Sequence, residues 1–426
     1  MLDIKLVREN PEIIKKDLEK RDRHDLVKKV DKVRKLDILW RESSQKEQDL
    51  RKRRNTLSKE VAELKKAGKD ASEKLRLVKD TPAKISEQEI ETQKLLQEIK
   101  KNMMDIPNLL HESVPIGIDD TKNVTAKEWG TKPNPKFKIK SHVDLLEEKD
   151  LADTQKAGVV SGSRFYYLKN DLVMLDFALM KFCMDLLHNK KFILVQPPFM
   201  LRRKPYEAMT SMDDFEEVMY KIQDEDLYLI ATSEHPIGAY HMNEVVDVNK
   251  LPLQYAGISP CFRKEAGSHG KDTKGIFRVH HFNKIEQFVF CKPEESWKIH
   301  EELLANSEKL FQKLELPYRV VNVCTGDMGS VAAKKYDIEV WMPVQEKYRE
   351  VVSCSNCTDY QARRLNTKYD ASGKRQLVHT LNSTAIATSR AIVAIMENFQ
   401  NEDGSFNVPK ALWPYMNGVK VIGTNK

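Results

Sequence analysis

The sequence predicts an α+β protein, with an antiparallel α-helical coiled-coil arm at the N-terminus and a larger domain organised on antiparallel β-strands behind it. Three observations predict this. Apolar residues recur in a three-four alternation through two charged stretches, 33–64 and 75–106. Two apolar or alternating stretches, LQYAGISPCFRKEAG and GIFRVHHFNKIEQFVF, read as strands flanking a polar loop. Residues 379–398 run from a strand into an apolar helix.

Bulk composition bounds the answer. At 426 residues the chain has room for two or three domains, and a 40% hydrophobic content supports a core. Charged residues make up 32%, which suggests a long exposed helical element, and the net charge of +7 suits a polyanionic partner. No apolar run reaches about 18 residues, so no membrane span is expected. The start, MLDIKLVRENPEII, carries an early acid and no apolar signal core. Nor does it have the Arg-rich, acid-poor look of an organelle presequence, so a cytoplasmic location is expected. Six cysteines in a chain this size read as reduced thiols. Cys354 and Cys357 form a C-x-x-C, but no second pair supplies the further ligands zinc needs, so no structural zinc is expected.

In chain order, residues 1 to about 25 read as a short capping helix with Asn10-Pro11 as a start signal. The first long helix carries Val33, Leu36, Trp40, Leu50, Leu57, Val61 and Leu64, with polar Ser43, Glu47 and Arg54 at three seam places. The second carries Leu75, Val78, Ile85, Leu96, Ile99, Met103 and Ile106, and Gly68 can break the chain between them. Pro82 leaves two options: a restart with Thr81 as cap, or a kink. The hairpin, 27–104, would project roughly 50 Å. Arg51, Lys52, Arg53 and Arg54, with Lys65, Lys66 and Lys69, give it a basic outer face. A dimerisation or spacer element would also fit this pattern. The domains expected are 1–110, a loop-rich linker at 111–140 containing Pro133 and Pro135, and 141–426. Within the last, 171–191 reads as a buried helix and FILVQPPF as a strand ending at Pro197-Pro198.

The stretch from Cys261 to Glu286 carries the chemistry. Arg263 and Arg278 near the strand bases would place two guanidiniums on one face, which suits a polyphosphate. Phe282 and Glu286 follow Arg278 by four and eight residues, so a strand aims all three at one face. The result is a plausible nucleotide and small-amine site, although a surface hairpin with solvated arginines has the same spacing.

The order FRKEAGSHG…GIFRVHHFNKIEQF resembles motif 2 of class II aminoacyl-tRNA synthetases in the form found in seryl-tRNA synthetases. TSE (232–234), SCSNCTDYQARR and HTLNSTAIATSRAIVAIMEN, the last resembling motif 3, follow the same family in order. IPNLLHESVPIG marks the family's return from the arm, and 171–198 is similar to motif 1, the dimer-forming element. The resemblance covers essentially the whole chain. It implies a class II antiparallel sheet flanked by helices, activation of L-serine with ATP and Mg²⁺, and transfer to tRNA(Ser) by a homodimer. Service to tRNA(Sec) stays open. Two rivals are a relative that loads a carrier protein and a catalytically inactive RNA-binding paralogue.

Carried over residue by residue, the resemblance gives Thr232, Ser233 and Glu234 the serine α-amino group. Arg263 contacts the α-phosphate and the serine carboxylate. Arg278 and Arg390 take the far phosphates. Glu265, Val279 and Phe282 lie at the adenine, and Lys264 belongs to the ATP-binding set. Glu350 to Ser353, with Val351 and Val352 between, hold ATP, and Glu350 and Ser353 hold its Mg²⁺. Glu286, Asn382 and Thr384 line the serine pocket. Arg51 to Arg54 face tRNA, and the loop 266–275 touches its acceptor end. Thr384 retains the hydroxyl of the family's serine-hydroxyl ligand, and LNSTAIA is closer to the archaeal and eukaryotic branch. His281 departs from the common VHQF pattern and carries no assigned role.

Overall fold

The computed structural model describes residues 1–211, 218–265 and 274–424, so most of the loop expected at the acceptor end lies outside the described residues. The chain divides into two compact units, Met1–Pro107 and Asn108–Lys426.

In the first unit, two short helices, α1 (Ile4–Glu9) and α2 (Pro11–Lys20), precede the long pair α3 (His24–Lys66) and α4 (Ser72–Asp105). Asp3 caps α1, and Pro11 starts α2, where its missing N–H costs nothing. The hairpin turn follows from Gly68, at φ +67°. Its N–H bonds Lys65 O, and Lys69 N–H bonds Leu64 O, the paired bonds that close a helix on a left-handed residue. Asp37 is buried and held by Arg8 at 2.6 Å and Arg41 at 3.1 Å, which ties α1 to α3.

The long helices pack through Val33, Leu36, Leu57 and Val61 on one side and Ile85, Ile99 and Met103 on the other. The polar seam place at Ser43 is satisfied, not vacant: its hydroxyl lies 2.8 Å from Thr92 Oγ1 and accepts from Gln88 Nε2 at 2.6 Å. Such a buried polar pair fixes register. Pro82 neither restarts nor ends the helix; α4 runs through it, and the Thr81 hydroxyl donates to Leu77 O at 2.6 Å. Leu75 and Leu96, expected on the seam, are 40% and 42% exposed. A helix drifts by about 20° per heptad against a strict repeat, and Thr81, Thr92 and Asn102 occupy buried places instead.

The second unit is built on an eight-stranded sheet. In chain order its strands are β1 (Val124–Trp129), β2 (Ile193–Val195), β3 (Leu253–Phe262), β4 (His281–Cys291), β5 (Tyr318–Asn322), β6 (Lys334–Met342), β7 (Lys347–Asn356) and β8 (His379–Ala387). Their spatial order is β1-β5-β6-β7-β8-β4-β3-β2, antiparallel except for the β2–β3 edge. Helices α5 (Asn170–Asn189), α6 (Ser296–Lys313) and α7 (Thr388–Asn398) contribute to the core on one face. Ile285, Val289 and Cys291 of β4 belong to that core, whereas Lys284 and Glu286 line the open face, and Phe282 lines it while also packing against the core.

Residues 111–140, expected to be a linker, supply the edge strand β1, which pairs with β5 from Val124↔Asn322 to Trp129↔Tyr318. Asn108, in the IPN segment, anchors the start of this unit: its buried amide donates to Val331 O at 3.0 Å and Cys357 O at 2.9 Å.

Candidate active site

The hairpin β3–β4 pairs from Leu253↔Phe290 to Phe262↔His281. Arg263 and Arg278 lie just beyond these strands. Extension of the second strand back to 275 is not observed, because the chain turns at Gly275, φ +78°. A Cβ there would sit 2.2 Å from His142 Nε2, so close packing on His142 requires glycine. Arg278 therefore does not share the face of Phe282 and Glu286 through strand parity. It bonds the Glu265 carboxylate at 3.0 Å and borders a neighbouring cavity.

The open sheet face carries a cavity of about 340 Å³. Thr232 and Glu234 enter it from one side, Arg263 from the end of β3, and Phe282, Lys284 and Glu286 from β4. Glu350, Val351 and Ser353 come from β7, Asn382 and Thr384 from β8, and Arg390 from the first turn of α7. A second cavity of about 470 Å³ contains Arg278 and shares Glu350 and Arg390 with the first.

Two bulges make this assembly possible. In β7, Glu350 pairs with Glu339 and Val352 with Ile338, leaving Val351 as an extra residue. Glu350 and Ser353, three apart, would face opposite sides of a regular strand; the bulge lets both line the cavity. In β8, Thr384 pairs with Glu286 and Ile386 with Ile285, so Ala385 is extra. Asn382, Thr384 and Ala387 then share the cavity wall.

Where β4 meets β8, Glu286 is 1% exposed. One of its oxygens accepts from the Thr384 hydroxyl at 3.0 Å and pairs with Lys284 Nζ at 2.6 Å. Glu234 accepts from Gln361 and Asn382 side-chain amides, both at 3.2 Å. Burial and then the Glu286 charge push Glu234 up to about 7, with Lys284 pulling the other way. Thr232 Oγ1 accepts from the Glu234 N–H at 3.2 Å.

Ser233 lies outside the cavity lining: it is fully buried, and its hydroxyl donates to Gly257 O at 3.1 Å. A side chain at 257 would meet that hydroxyl at 2.5 Å, so Gly257 and Ser233 dock the segment onto the sheet.

Across the cavity, where β7 meets α7, Arg390 donates to Glu350 O at 2.7 Å and lies 3.5 Å from its carboxylate. Burial opposes ionisation of Glu350, but Arg390, Lys335, Arg263 and Arg278 outweigh it and hold its pKa below the ordinary value. The Arg263 guanidinium sits 5.3 Å from the Phe282 ring centroid. Lys264, Val279 and Val352 line neither cavity; Lys264 is exposed, while Val279 and Val352 are in the core.

Sequence reasoning missed Lys284, His235 and Lys335, which also line the cavity. Lys284 had a readable signal, since it shares strand parity with Phe282 and Glu286. His235 is pushed down to about 3 by burial, then by Lys284 and Arg263, so it is neutral. Burial works against the Lys335 ammonium, but Asp337, Glu350 and Asp327 outweigh it and raise its pKa. Among the described residues no group of three or more His, Cys, Asp or Glu side chains forms a metal cluster.

An antiparallel sheet with arginines at a hairpin end and a helix start, around one cavity, places the chain among the class II aminoacyl-tRNA synthetases. The family model for the class II core domain (G, H, P, S and T) matches residues 218–399, and that for the seryl-tRNA synthetase N-terminal domain matches 1–110. The serine–tRNA ligase of Methanocella arvoryzae is 54% identical over 426 residues, 99% of this chain and 100% of that one. The crystal structure of seryl-tRNA synthetase from Pyrococcus horikoshii complexed with ATP matches with a TM-score of 0.94 at 52% identity, covering 100% of both chains. The cytoplasmic serine–tRNA ligase from Naegleria fowleri in complex with AMP gives 0.89 at 36% identity, covering 100% of this chain and 99% of that one. The chain belongs to the seryl-tRNA synthetase family.

Proposed function

We propose that this protein joins L-serine and ATP to form seryl-adenylate and pyrophosphate, then passes the seryl group to the 3′-terminal ribose of tRNA(Ser). The observation that carries the reading is the buried Glu286–Thr384 pair at one end of a cavity whose other end holds Arg390 and Glu350. A carboxylate and a hydroxyl suit a substrate hydroxyl and ammonium; cations suit a polyphosphate.

A serine carboxylate oxygen attacks the α-phosphorus of ATP, and the bond to the bridging oxygen breaks to release pyrophosphate. A ribose hydroxyl of tRNA then attacks the seryl carbonyl and releases AMP. Glu234 receives the α-ammonium, Arg263 takes the carboxylate and α-phosphate, and Arg278 and Arg390 neutralise the far phosphates. Catalysis rests on positioning and charge neutralisation, with no covalent nucleophile. Phe282 stacks on the adenine. Glu350 and Ser353 fit Mg²⁺: both offer oxygen to one cavity, and Glu350 is held ionised. Bound there, Mg²⁺ would neutralise phosphate charge.

Rejection of alanine follows from Glu286 and Thr384, which lose a partner when the substrate lacks a hydroxyl. The helical arm contacts tRNA backbone and shape through its basic face. Lys52 and Arg53 are exposed there, whereas Arg51 is engaged by Glu47 and Glu89. A homodimer is supported by the apolar exposure of Phe177 (64%) and Ile193 (51%) on the motif 1-like segment. The proposed setting is the cytoplasm. An arm that matches the family's N-terminal domain favours tRNA over a carrier protein as acceptor.

The test is ATP–pyrophosphate exchange with serine, threonine, alanine and glycine, repeated with tRNA charging. Serine-dependent exchange and charging are expected. Exchange without charging would leave the carrier-protein reading, and no exchange with any amino acid would remove the enzymatic one.

A further inference from the structure

Lys284 lines the cavity beside Glu286 and is 5% exposed. A buried ammonium is costly unless paired. Its pairing is with the same Glu286 oxygen that takes the Thr384 hydroxyl, at 2.6 Å and 3.0 Å respectively. The groups around it come from several elements: Glu286 on its own strand, Glu234 and His235 from the TSE segment, Cys261 from β3 and Arg263 just beyond it, and Asn382 and Thr384 from β8. Two acids, Glu234 and Glu286, thus face one small cavity, and two like charges in a low-dielectric site oppose each other.

We propose that Lys284 is a positioning residue for amino-acid recognition: it fixes the Glu286 carboxylate toward Thr384 and, from the same cavity wall, favours the charged form of the pocket's other acid, Glu234, which receives an α-ammonium group. Among the groups that favour Glu234 ionisation, Lys284 ranks first, ahead of the Gln361 hydrogen bond and Arg263. Glu234 titrates from a value pushed up to about 7, so removal of this cation drives it into the neutral form at neutral pH. An α-ammonium then meets a carboxylic acid.

The inference rests on the serine-activating reading, so the experiment has an arm that does not. Full-length protein, Lys284→Met and Lys284→Arg are compared in exchange assays from about pH 6 to about pH 9, with serine and ATP varied separately. Lys284→Met is expected to raise the serine KM about tenfold or more, with the ATP KM little changed. The pH below which serine binding weakens should move up by about one unit or more. Lys284→Arg keeps the charge and is expected to keep the wild-type pH limb. In the second arm, the Glu234 carboxyl is followed by carbon-13 NMR without substrate; its midpoint should rise in Lys284→Met and stay in Lys284→Arg. If Lys284→Met does not fold, Lys284→Arg decides through the same two readouts. An unshifted Glu234 midpoint in Lys284→Met, or a shifted one in Lys284→Arg, overturns the role. Wild-type protein inactive with serine but showing the NMR shift would sink the serine reading and leave the electrostatic role standing.

Discussion

Replacing Thr384 by Val removes one hydroxyl and keeps the shape of the side chain. The lost contact is the 3.0 Å hydrogen bond to the Glu286 carboxylate. A hydrogen bond to a charged group is worth about 1.5–3 kcal/mol. Glu286 keeps its 2.6 Å pairing with Lys284, so the carboxylate is not orphaned, and the loss belongs near the lower end, about 1.5–2 kcal/mol. A contact of the same size from the Thr384 hydroxyl to the serine hydroxyl in the proposed pocket corresponds to roughly a 10- to 30-fold fall in kcat/KM for serine when it is removed. Alanine cannot use the hydroxyl, so its activation should change little and discrimination should fall by the same factor. The assay is exchange at saturating ATP with serine and alanine, together with a thermal melt. Equal losses for both amino acids would show that Thr384 only supports the fold. An unchanged serine value would refute its place in the pocket.

Arg263→Ala should abolish serine-dependent exchange, because it removes the charge between the carboxylate and phosphate ends; normal exchange would refute the phosphate assignment. Removing 31–104 should spare exchange and eliminate tRNA charging, since the described residues that line the cavity run from Met209 to Arg390, within the second unit; undiminished charging would sink the arm assignment. Because Glu234 in the folded chain titrates near 7, above its ordinary 4.5, the serine KM should rise as pH falls through about 7. The sign for stability is opposite: the folded state binds the extra proton between these values, so Glu234's contribution falls as pH rises through that window. Melts of the substrate-free protein at both ends, compared with Glu234→Gln, measure this.

The arm was legible because periodicity is the strongest signal a sequence carries over two long helices. Its fine packing was not. A heptad grid assigns Leu75 and Leu96 to the seam, whereas the helices bury Thr81 and Thr92 in hydrogen-bonded places that no apolar pattern marks. The same limit explains β1. Residues 124–129 are exposed along their length, so an edge strand there shows no alternation and reads as linker. What makes it a strand is the backbone of β5, which is non-local.

For the site, identities were legible and directions only partly so. Parity within β4 correctly puts Phe282 and Glu286 on one face and would have added Lys284. Parity carried back to Arg278 fails, because Gly275 packs on His142 and the chain leaves the strand before that point. In β7 parity would have argued against the site, since a spacing of three puts Glu350 and Ser353 on opposite faces. The extra residue at Val351 reverses that conclusion, and Ala385 does the same for Asn382, Thr384 and Ala387. A bulge leaves almost no mark in a sequence, because it is defined by the partner strand's count and not by its own residues. Both bulges lie within strands that bring Glu350 and Ser353, and Asn382 and Thr384, to one cavity. Converging donors at fixed angles calls for local departures from the regular pleat, which is why a motif resemblance located these residues where strand periodicity could not.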